Sequence, residues 1–236
     1  MTDFALNPDL DMAVVRDEYR RAGRVRIAGF LADEGLRALH GALVAREDWR
    51  TLFIGPNGIV QMSREERDAL SPADAQLLDD QVHDRAALGF QYRYEGIRIP
   101  DAGEAPDEAL GRFAAFMASE VLLGFLGEVV GRDDIAFSEG QATAYGPGDF
   151  LTCHDDGVEG RHRLAAFVLG ITPRWRPEWG GLLLFHADDD SAAIGHVPRW
   201  NTLDLFAVPQ RHSVTYVNRS APGRRLALTG WLRTPD

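Results

Sequence analysis

The chain has 236 residues, 45% of them hydrophobic and 26% charged, with 24 glycines and 12 prolines. That ordinary globular composition is long enough for one sizeable core and excludes disordered, collagen-like and disulfide-framework classes. Net charge is −11 and unevenly spread: residues 1–150 carry 15 arginines against 27 acids, and residues 151–236 carry 10 against 9.

An acidic chain without a basic stripe predicts no nucleic-acid partner. All 25 basic residues are arginine, which excludes lysine Schiff-base chemistry, a P-loop lysine and a kinase-type lysine. No run approaches 18 apolar residues, and the N-terminus lacks a basic segment before an apolar block, so neither a membrane span nor a secretion signal is expected. The single cysteine, Cys153, cannot form an internal disulfide, which points to a reducing cytoplasm. Any metal site must therefore rest mainly on His, Asp and Glu.

In chain order, apolar spacing predicts amphipathic helices over Asp11–Arg21 and Asp33–Glu47, and a short helix over Ser63–Ala69 with acids in its first turn. Phe90–Ile99 alternates and is aromatic-rich, which predicts a strand. Ala105–Pro106–Asp107–Glu108 marks a helix start, and Ser119 caps a second helix ending at Gly131. Beyond residue 133 the pattern turns to short strands: Ala136–Tyr145, Leu151–Asp155, Leu164–Ile171, Leu182–His186, Ala193–Val197, Thr202–Val208, Ser213–Val217 and Arg225–Arg233. Eight strands so close together predict a sandwich or barrel core, buttressed on one face by the helices, within one domain.

Two strand residues two apart share a face, so His154 and Asp156 can present an imidazole and a carboxylate to one ion. His212 opens a later strand. Two imidazoles and a carboxylate on one face of a metal form the ligand set of non-haem Fe(II) oxygenases. His-x-Asp recurs at His186–Asp188, so the spacing alone is weak; Asp188–Asp190 reads as a solvated turn. Arg225 opens an alternating strand, where an inward guanidinium needs an anion. Its neighbour Arg224 then faces solvent. Cys153 alternates away from His154, and His40, His83, His162 and His196 have no metal-type spacing. Gly146–Pro147–Gly148 reads as a tight turn. Trp175, Trp179 and Trp231 line a groove or pack in the core.

Several pieces together resemble the Fe(II)/2-oxoglutarate-dependent prolyl hydroxylase family, and within it the ribosomal prolyl hydroxylases and their bacterial relatives. These are Tyr145–Gly–Pro–Gly, Leu–Thr–Cys–His154–Asp–Asp156, Ile–Thr–Pro–Arg–Trp175 before Gly180–Gly181, Phe206 with Val208–Pro209, His212–Ser–Val, and Arg225–Leu–Ala–Leu–Thr–Gly–Trp231. The match runs over about residues 136–233; the helical half is only loosely similar.

The resemblance implies a mainly β protein with N-terminal helices: a double-stranded β-helix (jelly-roll) core over 133–236, with 1–132 as helical support and lid. It implies iron on His154, Asp156 and His212, which that fold places on its second and seventh core strands. From His186 too few strands remain for such an arrangement. Arg225 would pair with the distal carboxylate of 2-oxoglutarate, and Tyr145 and Thr229 would line or hold the cosubstrate. O2 is the second cosubstrate, and ascorbate a candidate auxiliary reductant. Relatives often carry a cosubstrate-binding Tyr where this chain has Gly170, so either another hydroxyl substitutes or the pocket is larger. The implied activity is hydroxylation of a C–H bond, foremost of a prolyl residue in a protein or peptide. The alternatives are a hydroxylase of free amino acids or small molecules, and a non-catalytic metal- or ligand-binding barrel. Gln91–Tyr94 and Gly157–Arg163 are the expected substrate-contacting segments.

Overall fold

The computed structural model describes residues 4–234. Six helices and twelve strands follow one another as α1 (Met12–Ala22), β1 (Arg24–Ala28), α2 (Asp33–Ala45), β2 (Arg50–Gly55), β3 (Gly58–Ser63), α3 (Arg64–Asp68), α4 (Pro72–Leu88), β4 (Tyr92–Arg98), α5 (Ala109–Met117) and α6 (Glu120–Val130). The second half is all strand: β5 (Ala136–Tyr145), β6 (Phe150–His154), β7 (Arg163–Gly170), β8 (Leu183–His186), β9 (Ala193–His196), β10 (Thr202–Ala207), β11 (His212–Val214) and β12 (Arg225–Arg233).

Local signals set the helices. Ser119 caps α6 by accepting from Leu122 N, and Gly131 ends it in the left-handed region at φ 75°. Ser63 and Glu66 close a capping box on α3. Leu36, Leu39 and Leu43 in α2, Phe113 and Met117 in α5, and Leu122 and Leu126 in α6 recur at helical spacing and are buried. Each contributes roughly 1.5–3 kcal/mol by leaving water. Among the described residues no single helix is long and apolar enough to cross a membrane.

All strands join one antiparallel sheet in the order β1-β10-β7-β12-β5-β4-β6-β11-β8-β9, with β2 and β3 added beside β4. β4 turns the corner, pairing with β6 at Tyr92–Arg93 and with β5 from Glu95 to Arg98. The sheet thereby curls into a double-stranded β-helix formed by β5–β12.

Alternation divides each wall. On β12, Leu226, Leu228 and Leu232 join the helices in the main core, as do Ala142 and Ala144 of β5 and Phe167 and Leu169 of β7. The opposite parity, Arg225 and Thr229 on β12 and Thr143 and Tyr145 on β5, faces the inside of the curl. Besides the expected strand β4, the N-terminal half supplies β1–β3 and the long helix α4. Helix α4 buries only Val82, so its apolar periodicity is faint; Ser71–Pro72, a cap followed by a first-turn proline, was the available signal.

Candidate metal centre

His154 ends β6 and His212 begins β11, directly opposite each other in the antiparallel pairing. Asp156 does not reach them by strand alternation. β6 stops at His154, and Asp156 sits beyond it in the left-handed region at φ 62°, a turn conformation that aims its carboxylate back at the histidines. The Asp156 Oδ atoms lie 3.5 Å from His154 Nε2 and 3.5 Å from His212 Nε2. The two rings are 4.1 Å apart, centroid to centroid. Among the described residues this is the set of three His, Cys, Asp or Glu donors whose atoms all lie within 4.8 Å of one another.

Backbone carbonyls orient both imidazoles. His154 Nδ1 donates to Thr152 O at 3.1 Å, and His212 Nδ1 donates to Gln210 O at 2.7 Å. A carbonyl can only accept, so both protons sit on Nδ1 and both Nε2 lone pairs point to the common centre. Burial, reinforced by the nearby His154, pulls the His212 pKa down to about 4, against the pull of Asp156. For Asp156, burial alone would raise the pKa, but the His154 hydrogen bond and both imidazoles carry it below the usual carboxylate value. His212 is thereby biased to its neutral form beside an anionic Asp156, which is the form of each that a divalent ion binds.

Linkage gives this site a pH signature. Between about 6.5, the ordinary value, and about 4 the unfolded chain binds a proton at His212 that the folded chain refuses. Stability of the metal-free protein should then fall as pH drops through that window, and the His212 contribution should be fully present above it. Thermal denaturation from pH 7 to 4.5 reads this out, and the His212→Gln protein should show a flatter profile. An unchanged profile would remove the assignment of a depressed His212.

The cavity in front of the triad measures about 190 Å³ and is lined by Tyr145, Thr229 and Arg225 as well as by His154, Asp156 and His212. Arg225 is 4% exposed, and no carboxylate of a described residue lies within ion-pair distance of it; its Nε has no hydrogen-bond partner. Burial pulls its pKa down, and its guanidinium carbon lies 5.1 Å from the Tyr145 ring centre. A desolvated cation without an anion is costly, and it faces a cavity that could admit one. Burial, with Tyr94 nearby, pushes the Tyr145 hydroxyl well above its ordinary pKa, so it remains a protonated donor.

Phe90, Tyr92, Tyr94 and Tyr145 make an aromatic wall from the mouth to Arg225, with successive ring centres 5.7, 5.3 and 5.0 Å apart. Phe90 is half exposed and stands 5.3 Å from the His154 ring. It lies one residue before the segment expected to contact substrate. Gln91, expected in that role, is fully buried and bonded to the backbone of Ile54 through Oε1 and Nε2. Arg93 likewise faces away, held by Asp79, Asp149 and the Gly148 carbonyl.

Three further expectations are corrected or resolved. Arg224 is not a solvent arginine: it pairs with buried Glu95, which also binds Arg67 at 2.9 Å, and lies over Trp49. Gly170 does not enlarge the pocket, because a Cβ there would stand 2.3 Å from Arg199 O, so main chain fills that space. Of the three tryptophans, Trp231 lines the cavity, whereas Trp175 and Trp179 are partly buried against the cluster containing Val217 and Ala221 and line a different groove. Cys153 is free and partly buried.

His186 is bonded instead to Ser213, with Nε2 2.8 Å from Oγ. His186→Ala should therefore bind Mn(II) within about twofold of the wild type in a calorimetric titration; abolished binding would make it a ligand.

The chain was compared with known proteins. Residues 140–233 match the 2OG-Fe(II) oxygenase superfamily. Prolyl 3-hydroxylase OGFOD1 of Xenopus laevis is 40% identical over 95 residues, covering 37% of this chain and 18% of that protein. The mouse protein of the same name is 35% identical over 95 residues. The chain thus spans under a fifth of the length of these relatives. A Pseudomonas putida prolyl-4-hydroxylase superposes with a TM-score of 0.60 at 23% identity, covering 96% of this chain and 100% of that one. A 2OG-Fe(II) oxygenase family oxidoreductase from Burkholderia pseudomallei superposes at 0.64 with 16% identity, covering 99% and 96%. At such identities the superpositions establish the fold.

Proposed function

We propose, from the match of residues 140–233 to the 2OG-Fe(II) oxygenase superfamily, that this chain is an Fe(II)- and 2-oxoglutarate-dependent dioxygenase hydroxylating a prolyl residue of a protein or peptide. One observation carries the reading: two imidazoles and a carboxylate within 4.8 Å share a cavity with a buried arginine that has no anion of its own. The donor set suits ferrous iron, having two nitrogens, one oxygen and no thiolate.

When bound, iron supplies the oxidative chemistry: 2-oxoglutarate gives succinate and CO2, one oxygen atom of O2 enters succinate, and the other enters the substrate as hydroxyl. The protein's part is placement. Arg225 neutralises the distal carboxylate by bidentate pairing. Tyr145 offers a protonated hydroxyl beside it, and Thr229 lines the same wall two turns of alternation along β12. Apolar Leu183, Phe206 and Val214 close the cavity against water.

Cavity size favours a polypeptide substrate. The cavity of about 190 Å³ has also to hold a five-carbon dicarboxylate, which supports a target that projects one residue inward from a body held outside. Beside the cavity, Arg163 lies over Trp231 at 3.7 Å and is held by Glu139 and the Asp156 carbonyl. Among structures of similar fold, a Trichoplax adhaerens prolyl hydroxylase in complex with a peptide fragment superposes at a TM-score of 0.62 with 14% identity. A free thiol and ferrous iron both suit a reducing compartment, with ascorbate as an auxiliary reductant.

The test is mass-spectrometric detection of succinate with Fe(II) and 2-oxoglutarate, alone and with proline-containing peptides, free proline and a small-molecule panel. Peptide-dependent succinate with a hydroxylated peptide product is the expected result. Coupling to free amino acids or small molecules only would replace the peptide reading. No succinate under any condition would leave a binding barrel.

A further inference from the structure

On a separate face of the molecule, sharing no lining residue with the metal cavity, lies an open groove of about 1330 Å³. One wall is the loop after β7, with Arg174, Trp175, Arg176 and Trp179; the other is the β9–β10 connection with Arg199; Arg26 of β1 completes the lining. We propose that this groove is a docking site for an extended, acidic polypeptide segment, independent of the dioxygenase reading.

Charge is the first support. The chain carries −11 overall, yet four guanidinium groups meet here. Only Asp204, 3.7 Å from Arg26, and Glu178, 3.8 Å from Arg176, answer them. The side chains of Arg174 and Arg199 make no hydrogen bond or ion pair among the described residues. Arg26 is held in place through Val197 O at 2.5 Å, and burial first, then the neighbouring Arg199, act to lower its pKa against Asp204. Like charges in one lining, with Arg199 acting on Arg26 against Asp204, are eased by an incoming anion. Planar guanidinium groups take carboxylates bidentately.

The second support is the backbone. β1 and β9 end the main run of the sheet, each paired on one side only among the described residues, with β10 and β8 respectively. Gly195 of β9 lines the groove, and Ile194 beside it is 53% exposed. A free strand edge offers main-chain hydrogen bonds to an added extended peptide. Trp179, partly exposed with Arg176 5.5 Å over its ring, gives that peptide an aromatic contact. The close seat of the Arg199 loop depends on Gly170, whose missing Cβ leaves room for Arg199 O.

A polypeptide suits the groove better than a nucleic acid. An RNA strand brings a charge at every phosphate and would extend beyond the four arginines of a chain whose net charge is −11, whereas a peptide can confine its few carboxylates to the arginines.

The experiment uses the full chain and fluorescence anisotropy with three fluorescein-labelled probes: a peptide of five alternating Glu-Val units, its Gln-Val counterpart, and decauridylate. The Glu-Val peptide should bind at least about tenfold tighter than the Gln-Val peptide, and more weakly as salt rises. The R174E/R199E double variant should lose at least about tenfold. R21E/R85E, which makes the same change in net charge on exposed positions outside the groove lining, should stay within about threefold. Circular dichroism and Mn(II) titration check that both variants are folded, and R174Q/R199Q serves as the milder pair if the first is not. Equal losses in both variant pairs, no binding of the Glu-Val peptide by the wild type, or preference for decauridylate would each overturn the proposal.

Discussion

Arg225→Met should make the metal-free protein more stable and at the same time cost it its affinity for 2-oxoglutarate. The two effects have one origin. Arg225 is 4% exposed and its Nε has no partner, so the unliganded fold carries a desolvated charge with no carboxylate at ion-pair distance, Asp204 acting on it only from further off. Methionine is similar in length, carries no charge, and fills the same space beside Tyr145 and Gly181. Replacing poorly compensated buried charge with apolar side chains of similar volume is often stabilising by about 1–4 kcal/mol. Once an anion is bound the sign reverses, because removing one partner of a buried pair costs about 3–5 kcal/mol. That corresponds to a loss of roughly a hundredfold to a few thousandfold in affinity. Thermal denaturation of the apo protein gives the first measurement. Titration of 2-oxoglutarate into the Mn(II)-loaded protein under anaerobic conditions gives the second. Retained affinity would show that Arg225 does not hold the cosubstrate. Arg224→Ala should behave oppositely, losing about 1–2 kcal/mol of stability with its Glu95 contact and leaving cosubstrate affinity unchanged.

His212→Ala is expected to reduce Mn(II) affinity by more than about a hundredfold. Loss of an outer partner of a metal ligand already costs about 10–100-fold, and here a ligand itself is removed. His212 is 5% exposed and tethered to Gln210 O, so no neighbouring side chain can swing into its place without rebuilding β11. Among the described residues no further His, Cys, Asp or Glu completes a second group of this kind. Calorimetric titration is the check, with His186→Ala measured alongside. Comparable affinity in wild type and His212→Ala would dismiss the three-residue centre.

What the sequence determined by itself was whatever short-range physics controls. Ser119 and Gly131 bound α6 because a capping hydroxyl and a left-handed glycine act within one turn. β5 and β12 run as their alternation predicts, Ala136–Tyr145 and Arg225–Arg233, because a period of two is printed residue by residue. That parity also separated Arg225, inside the curl, from Arg224, outside it. The grouping of His154, Asp156 and His212 was legible through the resemblance to a family motif rather than through their spacing, and the fold brings the three donors together.

Tertiary structure decided the rest, wherever the deciding partner is distant in the chain. Asp156 reaches the histidines through a left-handed turn beyond β6, since where a strand stops depends on its neighbour's hydrogen bonds. Strands β1–β3 form because strands distant in the chain accept them, β1 beside β10 and the β2–β3 hairpin beside β4, and a partner far along the sequence is invisible to local pattern. Gln91 looked like a surface residue and is instead fully buried between Ile54 and Thr152. Arg224 looked solvated until β4 placed Glu95 beside it. Gly170 is small for a reason that no local rule contains: the main chain of Arg199, brought there by the pairing of β7 with β10, occupies the volume a side chain would need.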